Sequence, residues 1–403
     1  MNTLFQSSTH SFPEMNIHLA SNQVTHRHSQ KSKRPARITQ QNSTNGGSPR
    51  PRIGILTADG GNPFRGNHQN FIDIIRTGKR MGVPVFVITP QCISSDYKQV
   101  YGYFLSNSTK VKWVRKLTTL PPVIYNRVPN RVEERRPSMQ ETIENLKKIP
   151  HLHFYNPSFF DKWTLYQDLN TTKLHSYLPE TSLLDQPQTF KQMLFRYPIL
   201  YLKPIDGKAG IGMIQITQEP EEIKLIHQTA KRKEKKQFTT FTDLWPTIQQ
   251  LCKQQPYLIQ QGISLATYQG KPFDVRILLQ KNRKGSWALT GIGIRVAGKS
   301  AISTHVPMGG RIENVQRVFQ SVFGKRKNDM LKKVEEMGLQ LAQSIDNKQS
   351  SPLGEMSMDL GVEPQGHCWF FEANAKPMKF DEPHIRSLSL RRIIEYACFL
   401  CGY

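Results

Sequence analysis

A lysine followed by a glycine-rich loop is the first group of residues that could perform chemistry. Lys203 stands near the end of the apolar run Ile199–Pro204, and three glycines follow it within Asp206–Met213. Glycine lets backbone N–H groups approach an anion closely, and a lysine on the preceding strand adds a positive charge beside them. The spacing is neither that of a Walker A motif nor that of a dinucleotide fingerprint. The segment therefore predicts either a phosphate-binding loop or a glycine-rich hairpin with a lysine at its mouth.

Three oxygen-bearing side chains near the end of the chain form the second group. Glu372 and Asn374 lie two positions apart in an aromatic segment, so a strand would place both on one face. Asp359 precedes them, and a turn predicted at residues 363–366 would make the two segments antiparallel neighbours. Two carboxylates and an amide oxygen suit Mg²⁺, although an acid at a strand end is also commonly just solvated. We therefore predict a magnesium site on the strands within residues 356–377.

The residues between these two groups supply cations and a hinge. Asp274 and Arg276 share one face of a predicted strand, and Arg295 ends the next strand. Guanidinium groups bind phosphate oxygens in a fork geometry, and the alternative for either arginine is a surface ion pair. The apolar run that starts at Tyr257 passes into the polar segment Gln260–Ile263. This segment predicts a hinge whose backbone could pair with an adenine edge.

A small α/β unit is predicted before these groups. The apolar run Ile53–Leu56, a helical pattern at residues 69–81 and the run Val83–Ile88 predict a strand, a helix and a strand of a parallel sheet. A further strand at residues 123–127 ends in polar residues, where α/β sheets place ligand groups. We therefore expect a parallel α/β domain over residues 52–155.

A second unit is predicted over residues 156–403, and its glycine loop covers residues 206–213. It comprises a helical segment at 156–173, strands at 199–204, 212–216, 257–260, 273–280 and 287–296, helices at 244–252 and 331–344, and a last strand pair around Met358 and Phe370.

Composition sets limits on the class of protein. Residues 1–51 are rich in polar residues and lack a periodic apolar face, which predicts a disordered tail. The five cysteines are scattered, which favours reduced thiols in a cytosolic compartment. Cys398 and Cys401 fall in a predicted terminal helix, Arg391–Leu400, and no further zinc ligands accompany them. No apolar stretch is long enough for a membrane span or a signal peptide, so we expect a soluble intracellular protein.

The chain has 403 residues and a net charge of +24, an excess that favours anionic partners. The charge is dispersed, and the run Lys231–Lys236 is expected to be a solvated loop or helix face. Because no recognition motif or aromatic platform accompanies the charge, nucleic-acid binding is the weakest of the functional hypotheses.

The order of these motifs resembles that of the ATP-grasp ligases, over most of residues 156–380. Within that superfamily, the segments Ile53–Thr57, Phe273–Gln280 and Glu372–Pro377 are most similar to the YheC/YheD group of endospore coat-associated proteins. The resemblance implies an α/β fold in which a small parallel pre-ATP-grasp domain precedes a two-lobed ATP-grasp domain.

The resemblance also implies a role for each matching residue. The nucleotide would be bound by Lys162, Lys203, Lys208, Gly210, Gly212, Gln260, Gln261, Ile263 and Asp274. The first two lysines would contact the ATP phosphates, the glycine loop would form a lid, the hinge backbone would border adenine, and the aspartate would lie near the ribose. The transferring phosphate would be steadied by Arg276 and Arg295, and Mg²⁺ would be held by Asp359, Glu372 and Asn374.

Two positions depart from the superfamily pattern. Relatives often carry Glu where Gln261 stands, and Asn where His305 stands, shortly before Gly309 and Gly310. The second departure bears on catalysis. The resemblance implies an ATP-dependent carboxylate–amine or carboxylate–thiol ligase that acts through an acyl phosphate on an unidentified carboxylate substrate, in a cytoplasmic or spore-associated setting. The alternative is a non-catalytic or nucleotide-binding structural protein with spore coat components as partners.

Overall fold

The computed structural model describes residues 50–106, 111–207, 210–230, 232–298 and 309–403. Nearly all of the predicted tail, together with Lys208, Lys231 and His305, lies outside the described residues. Within those ranges the chain forms three β-sheets with helices packed on them, so the predicted α/β class is confirmed. The domain boundary near residue 155 stays a prediction.

The first sheet has the strand order β4-β3-β2-β1-β5-β6. Its elements are β1 (Ile53–Leu56), α1 (His68–Arg80), β2 (Val85–Ile88), β3 (Gln99–Leu105), β4 (Trp113–Thr119), β5 (Val123–Asn126), α2 (Arg131–Glu134), α3 (Pro137–Lys148) and β6 (His153–Tyr155). Strand β1 is parallel to β2 and β5, and β5 is parallel to β6, which confirms the predicted parallel sheet. Helices α1 and α3 pack on opposite faces, in separate apolar clusters.

The antiparallel hairpin β3–β4 at the edge of this sheet was not predicted. Its strands keep much of their side-chain surface exposed, as at Tyr101 and Leu117. The outer strand β4 is an edge strand of this sheet and needs no continuous apolar run, so its hydrophobic pattern is weak.

The second sheet is antiparallel throughout and has the order β11-β10-β9-β8-β12-β7. Its elements, with the helix that precedes it, are α4 (Lys162–Asn170), β7 (Thr181–Leu183), α5 (Pro187–Arg196), β8 (Ile199–Pro204), β9 (Ile214–Gln218), β10 (Ile223–Gln228), β11 (Lys233–Phe238), α6 (Phe241–Cys252) and β12 (Tyr257–Gln261). Phe190 of α5 and Leu244 of α6 pack against Leu200 and Ile214 in the core of this lobe.

The basic run was predicted wrongly as a loop or helix face. Of its described residues, Arg232 precedes the strand, whereas Lys233–Lys236 belong to the edge strand β11, which pairs with β10 alone among the described strands. Lys235 and Lys236 are exposed. Lysines on an edge strand oppose the addition of a further strand, which explains how so charged a run can form sheet.

The third sheet has the order β16-β15-β14-β17-β18, and a short strand β13 pairs with β14. The elements of this region are β13 (Thr267–Tyr268), β14 (Lys271–Lys281), β15 (Trp287–Val296), β16 (Arg311–Glu313), α7 (Val315–Phe323), α8 (Lys327–Asn347), β17 (Glu355–Val362), β18 (Cys368–Asn374) and α9 (Pro383–Leu400). Helices α7 and α8 cover one face through residues such as Phe319 and Leu341, which pack on Ile277 and Met358. The opposite face carries polar side chains such as Arg276 and Asp359, and its apolar residue Leu278 packs on Ile385 of α9.

Helix α9 connects the end of the chain with the first sheet. Its residues Ile394 and Ala397 share an apolar cluster with Ile53 of β1 and Ile74 of α1, while Ile385 packs on the third sheet. The helix starts eight residues earlier than the pattern predicted. All five cysteines are free thiols. None of the helices in the described ranges has the length and apolar character needed to cross a bilayer.

Candidate functional site

The glycine loop joins two antiparallel strands, β8 and β9, and Lys203 lies near the end of the first. The predicted hairpin with a lysine at its mouth is therefore observed, and phosphate binding by its loop stays a prediction. Gly210 and Gly212 adopt φ values of +74° and +80°, which side chains with a Cβ rarely adopt. The N–H of Gly212 donates to the carbonyl of Gln228 on β10 at 2.7 Å, which fixes the return of the loop to the sheet.

Lys203 is held by its neighbour on strand β12. Its Nζ donates a hydrogen bond to Oε1 of Gln260, whose Nε2 donates to the Thr181 hydroxyl at 3.0 Å. Burial lowers the pKa of Lys203 to about 8, and the Glu372 and Asp359 carboxylates of the third sheet act in the opposite sense. Lys203 and Glu372 line the same cleft, so the lysine of the second sheet lies near a predicted metal ligand of the third.

Lys162 stands at the start of α4 and completes this group of charges. Its Nζ lies 3.3 Å from the carbonyl oxygens of Pro204 and Gly207, and 3.8 Å from Oε2 of Glu372. The helix begins here because Asp161 caps it, accepting a hydrogen bond from the Thr164 N–H at 2.8 Å. The structure thus brings the two predicted lysines and one predicted metal ligand to a single place.

An apolar cleft adjoins these charges, between helix α4, strands β8 and β12, and strand β18. Its walls are formed by Phe160, Lys162, Leu165, Tyr166, Leu178, Pro179, Thr181, Lys203, Leu258, Gln260, Phe370, Phe371, Glu372 and Ala373. Phe371 lies under Lys203, with Nζ 5.4 Å from the ring centroid. Sequence reasoning missed Tyr166, Thr181 and Phe371, and the only signal for them was the apolar spacing of their segments.

The predicted hinge is only partly available for a ligand. The N–H of Gln261 donates to the carbonyl of Glu180 at 2.8 Å, and its side-chain oxygen accepts the Glu180 N–H at 3.1 Å. The N–H of Gly262 donates to Ile199 at 2.7 Å. Within the described ranges, Ile263 is the first hinge residue whose N–H has no acceptor. An adenine contact by the Gln261 N–H is therefore excluded unless the Glu180 bond breaks.

The polar face of the third sheet gathers the predicted arginines and acids. Asp359 lies directly opposite Glu372 in the antiparallel pair β17–β18, and Ser357 lies opposite Asn374. Residues opposed in this way share a face, and Asn374 follows Glu372 by two positions, so all of these side chains are on one side. The predicted antiparallel pairing of the two strands is confirmed.

Two guanidinium groups converge on Asp359, which is 3% exposed. Nη1 of Arg295 lies 3.3 Å from Oδ2, and Nη1 of Arg276 lies 3.6 Å from Oδ1. Arg276 is oriented further by a 3.1 Å hydrogen bond to the Ser357 hydroxyl. Asp274, predicted near the ribose, is directly opposite Arg295 on the same sheet and is buried.

The donor set fits a hard cation. Oδ1 of Asp359 is buried and accepts no hydrogen bond from a described residue, and the Asn374 side chain has no described hydrogen-bond partner. Carboxylate and amide oxygens are the ligands that Mg²⁺ takes in sites completed by water and phosphate. A cluster of three or more His, Cys, Asp or Glu side chains does not occur in the described part of the chain, so a cation here would rely on the two acids, the amide and its other ligands.

Comparison with known proteins places the chain in context. A family model described as YheC/D like ATP-grasp matches residues 151–400. The endospore coat-associated protein YheD of Bacillus subtilis (strain 168) is 28% identical over 361 residues, which cover 87% of this chain and 79% of that protein. The endospore coat-associated protein YheC of the same organism is 24% identical over 308 residues, covering 76% and 84%.

A solved structure also matches the chain. D-alanyl-alanine synthetase A from Vibrio cholerae O1 biovar eltor str. N16961 aligns with a TM-score of 0.50 at 11% identity, covering 88% of this chain and 100% of that one. At this identity the likeness is one of fold.

Proposed function

The chain belongs to the YheC/D-like ATP-grasp family, and we propose that it binds ATP with Mg²⁺ and ligates a carboxylate substrate to an amine or thiol. One observation carries the proposal. The partly buried ammonium of Lys203 and the ammonium of Lys162 lie on one side, and Glu372, with Asp359 directly opposite it in the third sheet, lies on the other, beside an apolar cleft. A nucleotide needs these three environments together, because the flat faces of its base pack on apolar walls, its phosphates are anionic and its metal binds oxygen.

The base is proposed to enter the apolar cleft and to pair with the backbone of the hinge. Because the Gln261 N–H already donates to Glu180, the groups proposed to contact the base are the carbonyl of Gln261 and the N–H of Ile263. The phosphates then extend toward Lys203 and Lys162, and the glycine loop with Lys208, Gly210 and Gly212 closes over them. Asp274 is proposed to contact the ribose.

The metal end of the site is proposed to consist of Asp359, Glu372 and Asn374. Mg²⁺ bound there would neutralise charge on the phosphate oxygens. Arg276 and Arg295 already lie beside Asp359, so their guanidinium groups are oriented before a nucleotide arrives. Pre-oriented cations stabilise developing negative charge without reorganisation during the reaction.

The proposed reaction has two steps. A carboxylate oxygen of the substrate attacks the γ-phosphorus of ATP, the bond to ADP breaks, and an acyl phosphate forms. The nitrogen of an amine, or the sulfur of a thiol, then attacks the acyl carbon, phosphate leaves, and the nucleophile loses its proton. The protein's part is to position reactants and balance charge, so no covalent nucleophile from the chain is required.

A second candidate is a spore-associated protein that binds nucleotide without turnover. The names of the relatives, endospore coat-associated proteins, favour it, as does the histidine at position 305. Coat components would then be its partners.

Turnover separates the two candidates. Purified chain is incubated with ATP, Mg²⁺ and pools of carboxylic acids and amines, and release of ADP and phosphate is measured. The ligase proposal expects acceptor-dependent ADP that Glu372→Ala abolishes and Glu363→Ala, in the turn between the same strands, retains. ATP binding in calorimetry without acceptor-dependent ADP in any pool would favour the second candidate.

A further inference from the structure

The three residues that follow β18 are held by side chains from far away in the sequence. β18 is an edge strand, paired with β17 alone among the described strands, and its last residue is Asn374. An edge strand receives hydrogen bonds from one side only, so its end frays unless something else restrains it. Here the restraint comes from the end of the first sheet.

Asn156 provides the first contact. It is fully buried, just after β6, and its Nδ2 donates both to the carbonyl of Ala375 and to the carbonyl of Glu355 at 2.8 Å. Its Oδ1 accepts the N–H of Gly354 at 2.8 Å. One carboxamide therefore ties the start of β17 to the end of β18.

Lys376 provides the second contact, through an ion pair with Glu134 at the end of α2. The two side chains are 2% and 7% exposed, and Lys376 Nζ donates to Glu134 Oε2. The other carboxylate oxygen of Glu134 accepts the Phe159 N–H at 2.9 Å, and the ring of Phe159 lies 4.5 Å from Lys376 Nζ. The pair is thus fixed at both ends.

Arg127, at the end of β5, provides the third contact. Its Nη2 donates to the carbonyl of Pro377 at 2.9 Å, and its Nη1 lies 3.1 Å from Oε1 of Glu355, where β17 begins. Residues 375, 376 and 377 are therefore each bound by a different distant side chain, in the order Asn156, Glu134 and Arg127.

We propose that Glu134 and Lys376 are positioning residues for the metal end of the site, an inference that rests on the proposed function. Lys376 lies two residues after Asn374, the last residue of β18, and four residues after Glu372. Side chains that orient metal ligands without touching the metal commonly change metal affinity about 10- to 100-fold when removed. The ion pair fixes the strand end and so sets the separation of Asn374 and Glu372 from Asp359.

A merely structural ion pair would change stability alone, and the chain offers a matched control. Lys281 of the third sheet pairs with Asp346 of α8 at 2.6 Å, and both side chains are 12% exposed. Lys281→Met therefore removes a comparably buried lysine partner from the same sheet without touching residues 372–377.

The test compares Glu134→Gln, Lys376→Met and Lys281→Met in the full chain. Mn²⁺ is titrated in the presence of ADP, with free Mn²⁺ followed by electron paramagnetic resonance, at a temperature where each variant is folded. Amide hydrogen exchange of residues 368–376 is the second readout. Glu134→Gln keeps an acceptor for the Phe159 N–H, so it serves if Lys376→Met does not fold.

The proposal expects the two positioning variants to bind Mn²⁺ about tenfold more weakly and to exchange the amide hydrogens of residues 368–376 faster than the wild type, with neither change in Lys281→Met. Unchanged Mn²⁺ affinity and exchange in Glu134→Gln would overturn it. If the wild type binds no Mn²⁺ with ADP, the proposed function fails and the positioning role fails with it, whereas normal Mn²⁺ binding in the wild type with unchanged binding in the variants overturns the positioning role alone.

Discussion

The Nζ of Lys203 donates its hydrogen bond to Oε1 of Gln260 on the adjacent strand, and this contact defines where the second sheet presents its charge. Gln260 is fixed in turn by Thr181, so its amide oxygen points at the lysine. A neutral acceptor holds the ammonium without neutralising it. The charge therefore remains available to an anionic ligand.

This arrangement predicts a pH-dependent affinity for ATP. Burial lowers the pKa of Lys203 to about 8, so the ammonium is present below that pH and is lost above it. We expect ATP affinity to fall as the pH rises through about 8. Calorimetric titrations from about pH 7 to about pH 9 measure how steeply the ATP affinity falls with pH. Lys203→Arg keeps its charge over this range, and an equally steep slope in that variant would contradict the assignment.

The two acids of the metal end should differ in what they do for stability. Asp359→Asn leaves Arg276 and Arg295 without their buried counter-charge, and breaking such a pair costs about 3–5 kcal/mol. Glu372 is 28% exposed and 3.8 Å from Lys162, so Glu372→Gln should cost less than about 1 kcal/mol. Urea unfolding measures both.

Both variants should nevertheless weaken Mn²⁺ binding in the presence of ADP, by about tenfold or more. If Mn²⁺ binding is weak in the destabilised variant Asp359→Asn but normal in Glu372→Gln, Glu372 is not a metal ligand.

The hinge after β12 should not tolerate a side chain at position 262. A Cβ on Gly262 would lie 2.5 Å from Cγ2 and 2.8 Å from the carbonyl oxygen of Ile199. We expect Gly262→Ala to lower the free energy of unfolding by about 1–3 kcal/mol and to weaken ATP binding, because the hinge must move away from β8. Ser264→Ala, at an exposed position two residues on, is the control. Normal ATP affinity in Gly262→Ala would argue against an adenine contact at the hinge.

A salt bridge to the first α/β segment should restrain the base of the glycine loop. Arg135 holds both carboxylate oxygens of Asp206 at 2.7 and 2.8 Å, and the guanidinium lowers the pKa of that carboxyl. Because the pair is exposed, Arg135→Gln should change stability by no more than about 1 kcal/mol. It should, however, accelerate tryptic cleavage after Lys208. High salt screens the salt bridge, so it should raise the cleavage rate of the wild type toward that of the variant.

Arg136→Gln is the matched control for this prediction, since the neighbouring Arg136 pairs with Glu133 and not with the loop. Equal cleavage rates in the two variants would mean that Asp206 does not restrain the loop.

Several elements were predictable because their signal is local. The strands Ile53–Leu56, Ile199–Pro204 and Trp287–Val296 have the predicted limits, since each is an apolar run that ends at turn residues. The pairing of Asp359 with Glu372 was also predictable, because one short turn separates the two strands. The hairpins β3–β4 and β10–β11 were missed, since the outer strand of each, β4 or β11, is an edge strand that carries mixed side chains.

The sequence by itself determined the order of a lysine, a glycine loop, a hinge, two arginines and an acidic strand pair, and with it the fold. Only the tertiary structure decided that the Gln261 N–H is already used and that α9 returns to the first sheet. It alone joined Lys376 to Glu134, across 242 residues. Local patterns report which face of an element is apolar, whereas contacts between distant segments depend on how three sheets pack, and no spacing along the chain encodes that directly.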